Sequence, residues 1–270
     1  VVRIPRGLVR LNPDGSVDSI FVWSAPEGIR YVRALVLQPD GKILIGGEFS
    51  FAHYAGLARL HPDGSSDESF LPPNYPGYDE LGVHCLALQP DGKILVGGDF
   101  EDVDLRRLNA DGSVDTSFHI DLGTNTWFQT APQNIVLQPD GKILVNSGAP
   151  NGPTPLHSDG RLDLSFMPPA HVWVRSLALQ PDGKVLAAGH DGDIRRLNTD
   201  GSLDSNFQAR VGSRAEAEVY AMLVQADGHV LIGGHVLSAE TSAKRFPTSR
   251  LGTRADREQA AAGLQAILGT

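Results

Sequence analysis

Three histidines (His84, His190, His235), three carboxylates (Glu48, Asp99, Glu218) and two arginines (Arg33, Arg175) are the residues of this chain best suited to chemistry. Imidazole and carboxylate exchange protons near neutral pH, so His84, Asp99, His190 and Glu218 are the candidates for general acid and base. Arg33 and Arg175 would steady an anion. Glu48, Asp99, His190 and His235 are nitrogen and oxygen donors of the kind Zn or Mn takes. Established catalytic motifs are missing: there is no G-x-S-x-G elbow, P-loop, G-x-G-x-x-G or H-E-x-x-H. The single cysteine, Cys85, excludes an intrachain disulfide and a thiolate metal cluster.

What these residues share is their place in a repeat. Five segments read apolar run, Q-x-D-G, apolar run, with glutamines at 38, 89, 138, 180 and 225. They are RALVLQPDGKILIGG from Arg33, HCLALQPDGKILVGG from His84, QNIVLQPDGKILVNS from Gln133, RSLALQPDGKVLAAG from Arg175 and YAMLVQADGHVLIGG from Tyr220. Between them lie five copies of a second motif. These are RLNPDGSVDSIF from Arg10, RLHPDGSSDESF from Arg59, RLNADGSVDTSF from Arg107, PLHSDGRLDLSF from Pro155 and RLNTDGSLDSNF from Arg196.

Each motif is a hairpin on physical grounds. In the first copy Pro39 presets φ for a type I turn, Asp40 tolerates the next position, and Gly41 takes the positive φ that leads into the following strand. Short, partly β-branched apolar runs flank the turn. Two hairpins per repeat give four strands, A and B around Q-P-D-G, C and D around N-P-D-G. Four-stranded units recurring at about 45 residues pack radially as propeller blades. The fold expected is all-β, a propeller of five four-stranded blades over residues 1–251. A short Ala-rich helical tail would occupy residues 252–270. The chain opens with a C–D hairpin (residues 8–21), and its last clear unit is an A–B hairpin (residues 220–234). Pairing these two closes the ring and removes both open edges. The alternative is a piece of a larger ring.

The paired motifs resemble the delta-60 repeat family, a bacterial β-propeller repeat found mostly in secreted or surface proteins. The resemblance spans residues 8–234. It implies a propeller in an exported setting, extracellular or at the cell surface, and no particular activity. The third blade departs from the pattern, with Asn146-Ser147 in place of G-G and Pro155 in place of arginine, and so does the C-terminal end.

The two P-D-G turns of a blade lie on one face and hardly vary. The B–C and D–A connections lie on the other and vary freely, which is where binding usually sits. All three tryptophans, Trp23, Trp127 and Trp173, fall in D–A segments. Aligned blades place Arg33, His84, Gln133, Arg175 and Tyr220 at the top of strand A, nearest the axis. These five, with Trp127 and Trp173, are the expected ligand-binding residues; the plain alternative is solvated strand ends. The position after G-G holds Glu48, Asp99, Gly148, His190 and His235. Strand B lies further from the axis, so a shared metal is not expected, nor is a cofactor. Asp191-Gly192-Asp193 is read as a turn, and Cys85 as packing, because its counterparts are Ala34, Asn134, Ser176 and Ala221.

The charge balance, 23 basic against 32 acidic residues for a net charge of −9, speaks against a nucleic-acid binder and against docking on an anionic membrane. No apolar run is long enough to span a bilayer, and no apolar stretch follows the basic residues at the start as a signal peptide requires. The function expected is a binding module that takes a glycan, a peptide or protein, or a small molecule at the loop face. The alternative is a propeller enzyme of hydrolase, lyase or cyclase type.

Overall fold

The computed structural model describes residues 8–23, 31–51, 54–73, 82–100, 104–120, 131–146, 152–169, 174–189, 192–207, 209–211, 217–235 and 239–240. The helical tail expected at 252–270 lies outside them. Every regular element among the described residues is a β-strand. The chain divides into two compact units, Val1–Phe118 and His119–Thr270.

The first unit holds two antiparallel sheets, β1 (Tyr31–Leu37), β2 (Ile43–Phe51) and β3 (Tyr54–Leu60), then β4 (Val83–Leu88), β5 (Ile94–Gly98) and β6 (Leu105–Leu108). In the second unit β7 (Asn134–Leu137), β8 (Ile143–Asn146) and β9 (Thr154–Leu156) form one sheet. Another is β10 (Ser176–Leu179), β11 (Val185–Ala188) and β12 (Asp193–Leu197), extended by β13 (Ala209–Val211) and β16 (Ala239–Glu240). A two-stranded sheet pairs β14 (Glu218–Val224) with β15 (Val230–His235). Thus the connections 208–218 and 235–248, expected as loops, each contribute a short strand.

The A–B turn forms as its residues dictate. Gln38 N–H donates to Lys42 O at 2.8 Å, Gly41 N–H to Gln38 O at 2.9 Å, and Gly41 has φ +82°. Strand B is buried between strands A and C in four of the five sheets, and its side chains alternate between two cores. Leu44 joins Leu57, Phe70, Val83, Ile94 and Val96, reaching the next repeat. Ile45 joins Phe21, Trp23, Phe49 and Leu60, reaching the preceding one. Leu144 and Leu186, like Leu44, reach the following repeat.

Strand D departs from expectation. Among the described residues it breaks off after one bridging pair, Leu11 with Val17, Leu60 with Ser66, Leu108 with Val114, Leu156 with Leu162 and Leu197 with Leu203, and is taken up again only as β13 alongside β12. The aspartate of S-x-D pulls the chain out of the ladder. Asp67 Oδ1 accepts from Ser69 N–H at 3.1 Å and from Ser69 O–H at 2.6 Å, closing a side-chain turn. The chain then crosses to the following repeat, where Leu71 N–H donates to Asp111 O at 2.9 Å. Val22 to Asp63, His119 to Asp159 and Met167 to Asp200 are the same stitch.

That aspartate is also the charge centre of its repeat. Asp67 Oδ2 receives Arg59 Nε at 2.7 Å and Lys42 Nζ at 2.9 Å, and Arg59 lies 4.6 Å above the Phe70 ring. Asp115 holds Arg107 and Lys93, Asp204 holds Arg196 and Lys184, and Asp163 holds Lys142 where Pro155 replaces the arginine. Burial alone would raise the Asp67 pKa; hydrogen bonds from Ser69, Lys42 and Arg59 outweigh it and hold the group well below the carboxylate range. Burial pushes Asp163 the same way, and Lys142 and Ser165 bring it down to about 2. For Asp204 the bond from Lys184 leads, again to about 2.

Both terminal hairpins have weaker surroundings. Leu11 is 53% exposed, whereas its counterparts Leu60, Leu108, Leu156 and Leu197 are buried to 2% or less. Val230, Leu231 and Ile232 on β15 are half-buried, whereas Leu44, Leu95, Leu144 and Leu186 are fully buried.

Replacing Asp67 by Asn leaves two cations facing a neutral group, and is expected to lower stability by about 2–4 kcal/mol in urea titration at pH 7. A depressed carboxylate pKa contributes stability above the unfolded value and loses it as pH falls through the folded value. Acid unfolding of the wild type is therefore expected to steepen below about pH 4, with Asp163 and Asp204 still contributing down to about 2. The Asp67→Asn variant should show a shallower acid slope.

Candidate functional site

Three of the candidates at the top of strand A owe their position to a backbone irregularity. On β1, Val32 lies opposite Gly47 and Ala34 opposite Gly46, so Arg33 is an extra residue. His84 is the extra residue between Val83 and Cys85, and Tyr220 between Val219 and Ala221. A bulge of this kind re-aims the side chain it carries. The second glycine of G-G permits it. A Cβ on Gly47 would collide with the Tyr31 carbonyl oxygen, one on Gly98 with that of Gly82, and one on Gly234 with that of Glu218. Gln133 and Arg175 occupy the same place just before β7 and β10, where their N–H groups donate to Asn146 O and Ala188 O, each at 2.8 Å.

In the first unit two successive repeats meet at this end. Arg33 pairs with Glu48, its Nε donating to Oε1 at 3.1 Å. Glu48 lies against the next repeat: a Cβ built on Gly82 would stand 2.9 Å from the Glu48 side chain and 3.8 Å from the His84 ring. His84 Nε2 sits 3.1 Å from Asp99 Oδ2. The loop after β5 is drawn in by two backbone bonds, Asp99 N–H to Gly82 O at 3.1 Å and Gly98 N–H to Asp104 O at 3.0 Å. Burial lowers the His84 pKa below the ordinary histidine value; Asp99 opposes this and Arg33 reinforces it. Asp104 moves the other way, raised by its own burial and by the Asp99 charge. A histidine that favours the neutral form thus stands near a carboxyl that retains its proton above the usual range, a combination able to bind a polar ligand or to move a proton.

In the second unit Arg175 lies 4.5 Å above the Tyr220 ring, and its Nη1 is 3.6 Å from Glu218 Oε2. The Tyr220 hydroxyl donates to the same oxygen at 2.6 Å, which raises the tyrosine pKa. Gln133 turns back to donate to Ala131 O at 3.1 Å.

Other expectations fare unevenly. His235 lies opposite Glu218 in the β14–β15 ladder. Trp127, Trp173 and His190 lie outside the described residues. Glu48 and Asp99 engage Arg33 and His84, and no metal-binding group of three His, Cys, Asp or Glu exists among the described residues. Trp23 belongs to the core, 3% exposed and edge-on to Phe49 at 6.4 Å. Cys85 is buried, its thiol pushed up to about 12 by burial, in keeping with packing. Asp193 ties β12 to β13 through Arg210 and also meets Arg195. Asp104 stands out in the sequence only as one of the acidic residues of the loop face, with no role of its own. Its only signal was the density of acidic residues between Asp99 and Asp104.

Residues 6–21, 38–70, 89–118 and 180–207 match a family described as "Domain of unknown function (DUF5122) beta-propeller". No curated protein matches the sequence. Among solved structures, a streptogramin B lyase is 16% identical, with 86% of this chain and 76% of that one covered at a TM-score of 0.57. Virginiamycin B lyase from Staphylococcus aureus is 17% identical, with coverage of 74% and 62% and a TM-score of 0.56, so this chain spans 62% of that enzyme's length. A protein of unknown function from Bacteroides caccae is 19% identical, with coverage of 82% and 76% and a TM-score of 0.53. At such identities the likeness concerns the fold alone. Repeated antiparallel sheets, four matched segments and these structural neighbours together support a β-propeller family for the chain.

Proposed function

We propose that the bulged end of strand A is a ligand-binding surface, so that the chain is a binding module for a small polar molecule, a glycan or a peptide. The observation that carries this is the convergence of Arg33, Glu48, His84, Asp99 and Asp104 from two successive repeats. Charged groups recurring in the other turns are spent on architecture; these differ from repeat to repeat. An extracellular or cell-surface setting in a bacterium belongs to the same proposal and is supported by the resemblance of the repeats. Screening a library of acidic, basic and neutral fragments by amide NMR is expected to give shifts clustered at residues 31–34, 82–85, 99 and 104. Arg33→Ala should weaken those hits about tenfold. Hits that map elsewhere, or that bind Arg33→Ala and Asp104→Asn as they bind the wild type, overturn the proposal.

A second reading, an enzyme, is favoured by the opposed shifts of His84 and Asp104 and by the lyases among the structural neighbours. In it His84 takes a proton, Asp104 returns one and Arg33 steadies the charge that develops. Turnover of lactone and ester probes with a bell-shaped pH profile, abolished in His84→Gln, distinguishes it from binding alone.

The five-bladed ring belongs here too. We propose that the hairpin at 8–21 supplies strand C for the β14–β15 hairpin. Support comes from the exposure of Leu11, from the incomplete burial of β15, and from His229, which holds the place that Lys42, Lys93, Lys142 and Lys184 hold in the other repeats. The register Ile45 opposite Ala58 sets Ile232 opposite Val9. Mild oxidation of a Val9→Cys/Ile232→Cys variant is expected to give an internally cross-linked monomer. Chains that stay reduced, or link only to one another, contradict closure.

A further inference from the structure

Each unit carries a trio of one tyrosine, one arginine and one glutamate at its bulged end. In the first, Tyr31 lies opposite Glu48 in the ladder, and Arg33 stands 5.7 Å over the Tyr31 ring while its Nε donates to Glu48 at 3.1 Å. In the second, Arg175 stands 4.5 Å over Tyr220, with Glu218 accepting from the tyrosine hydroxyl and 3.6 Å from Arg175. The two trios arise by different routes. Arginine sits on the bulge in one and tyrosine in the other, and glutamate comes from strand B in one and strand A in the other. Copying of the repeat therefore does not account for their likeness.

We infer that Tyr31–Arg33–Glu48 and Tyr220–Arg175–Glu218 are two subsites for a polyhydroxylated ligand, a sugar residue of a glycan, each stacking one sugar ring on its tyrosine. This deepens the ligand-binding reading above and rests on it. Both tyrosines are open to solvent, Tyr31 at 61% and Tyr220 at 49% exposure. Each offers an apolar ring face for the C–H face of a sugar, held in place by the guanidinium stacked on it. Beside the ring, arginine and glutamate set N–H donors and carboxylate acceptors next to one another. A guanidinium has five donors and a carboxylate about four acceptor sites, so the pair can keep its mutual contact and still bind outward.

This selects the class of ligand. A simple anion that takes the guanidinium's outward donors must also face the repulsion of the glutamate beside it. A pair of neighbouring hydroxyl groups need not. Each hydroxyl both donates and accepts, so vicinal hydroxyls bridge carboxylate and guanidinium with the ion pair intact. Binding of this kind carries little net charge and should respond weakly to salt.

The test is calorimetric titration of the full chain with a panel of neutral oligosaccharides built on glucose, galactose, mannose and N-acetylglucosamine. At least one is expected to bind, with affinity changing by no more than about threefold between 0.05 and 0.5 M salt. Tyr31→Ala and Tyr220→Ala should each weaken it by about fivefold or more, whereas Tyr31→Phe, which keeps the ring, should bind nearly as the wild type does. Both alanine variants remove exposed side chains and are expected to remain folded, which thermal melting checks. Absence of binding across the panel, a steep loss with salt, or indifference to both alanine substitutions overturns the inference. If fragments still bind at His84 and weaken in Arg33→Ala while no sugar binds, the hydroxyl reading alone falls. If fragments and sugars both fail to engage this end, the ligand-binding reading falls with it.

Discussion

A missing side chain governs this structure. At Gly47, Gly98 and Gly234 strand B approaches strand A so closely that a Cβ would occupy the place of a backbone carbonyl oxygen. Only with that approach does strand A take in an extra residue, and the extra residue is Arg33, His84 or Tyr220. Glycine weakens a strand by its entropy and lack of packing, so a pair of glycines closing an otherwise apolar run needs a local reason. Here the reason is the bulge, which turns a run of alternating core residues into one that ends in a polar group at the strand top.

The opposite end of each repeat is built for rigidity. Asp67, Asp115, Asp163 and Asp204 are nearly inaccessible, and each gathers a lysine from the A–B hairpin, with an arginine from strand C in all but the third repeat. A buried charge is tolerable only when paired and hydrogen-bonded, and these aspartates use both oxygens. Their side-chain turn, closed by a serine at Asp67, Asp115 and Asp163 and by Asn206 at Asp204, also explains why the fourth strand breaks off after one bridge. The carboxylate offers the backbone a partner that competes with the ladder, and the following segment hydrogen-bonds to the next repeat. Strength concentrated there leaves the bulged end free to differ, repeat by repeat, in the groups it carries.

The hairpins were legible because turn chemistry is local: P-D-G needs no distant partner to be read. Strand D was overestimated because its short apolar runs look like a strand, while the competing side-chain turn of Asp67 and Ser69 shows only in three dimensions. The alignment of repeats located Arg33, His84, Arg175 and Tyr220 correctly at strand tops. It said nothing of partners, since Glu48 reaching the neighbouring repeat and Asp104 folding back beside Asp99 depend on loop paths. Gln133 aligned with these residues yet serves its own strand entry. Trp23 read as a loop aromatic, but Phe49 and Ile45 leave an apolar gap that it fills.

The central claim is that the bulge holds His84 in a half-buried setting that disfavours its charge, with its Nε2 facing Asp99. The direct measurement is a pH titration of the His84 ring nitrogens by NMR, in the wild type and in Gly98→Ala. The account predicts a wild-type midpoint below the ordinary value of about 6.5, with Nε2 carrying the proton in the neutral form, and a midpoint that moves back toward that value when the Gly98 substitution disturbs the bulge. A wild-type midpoint at or above the ordinary value, unchanged by Gly98→Ala, would contradict it.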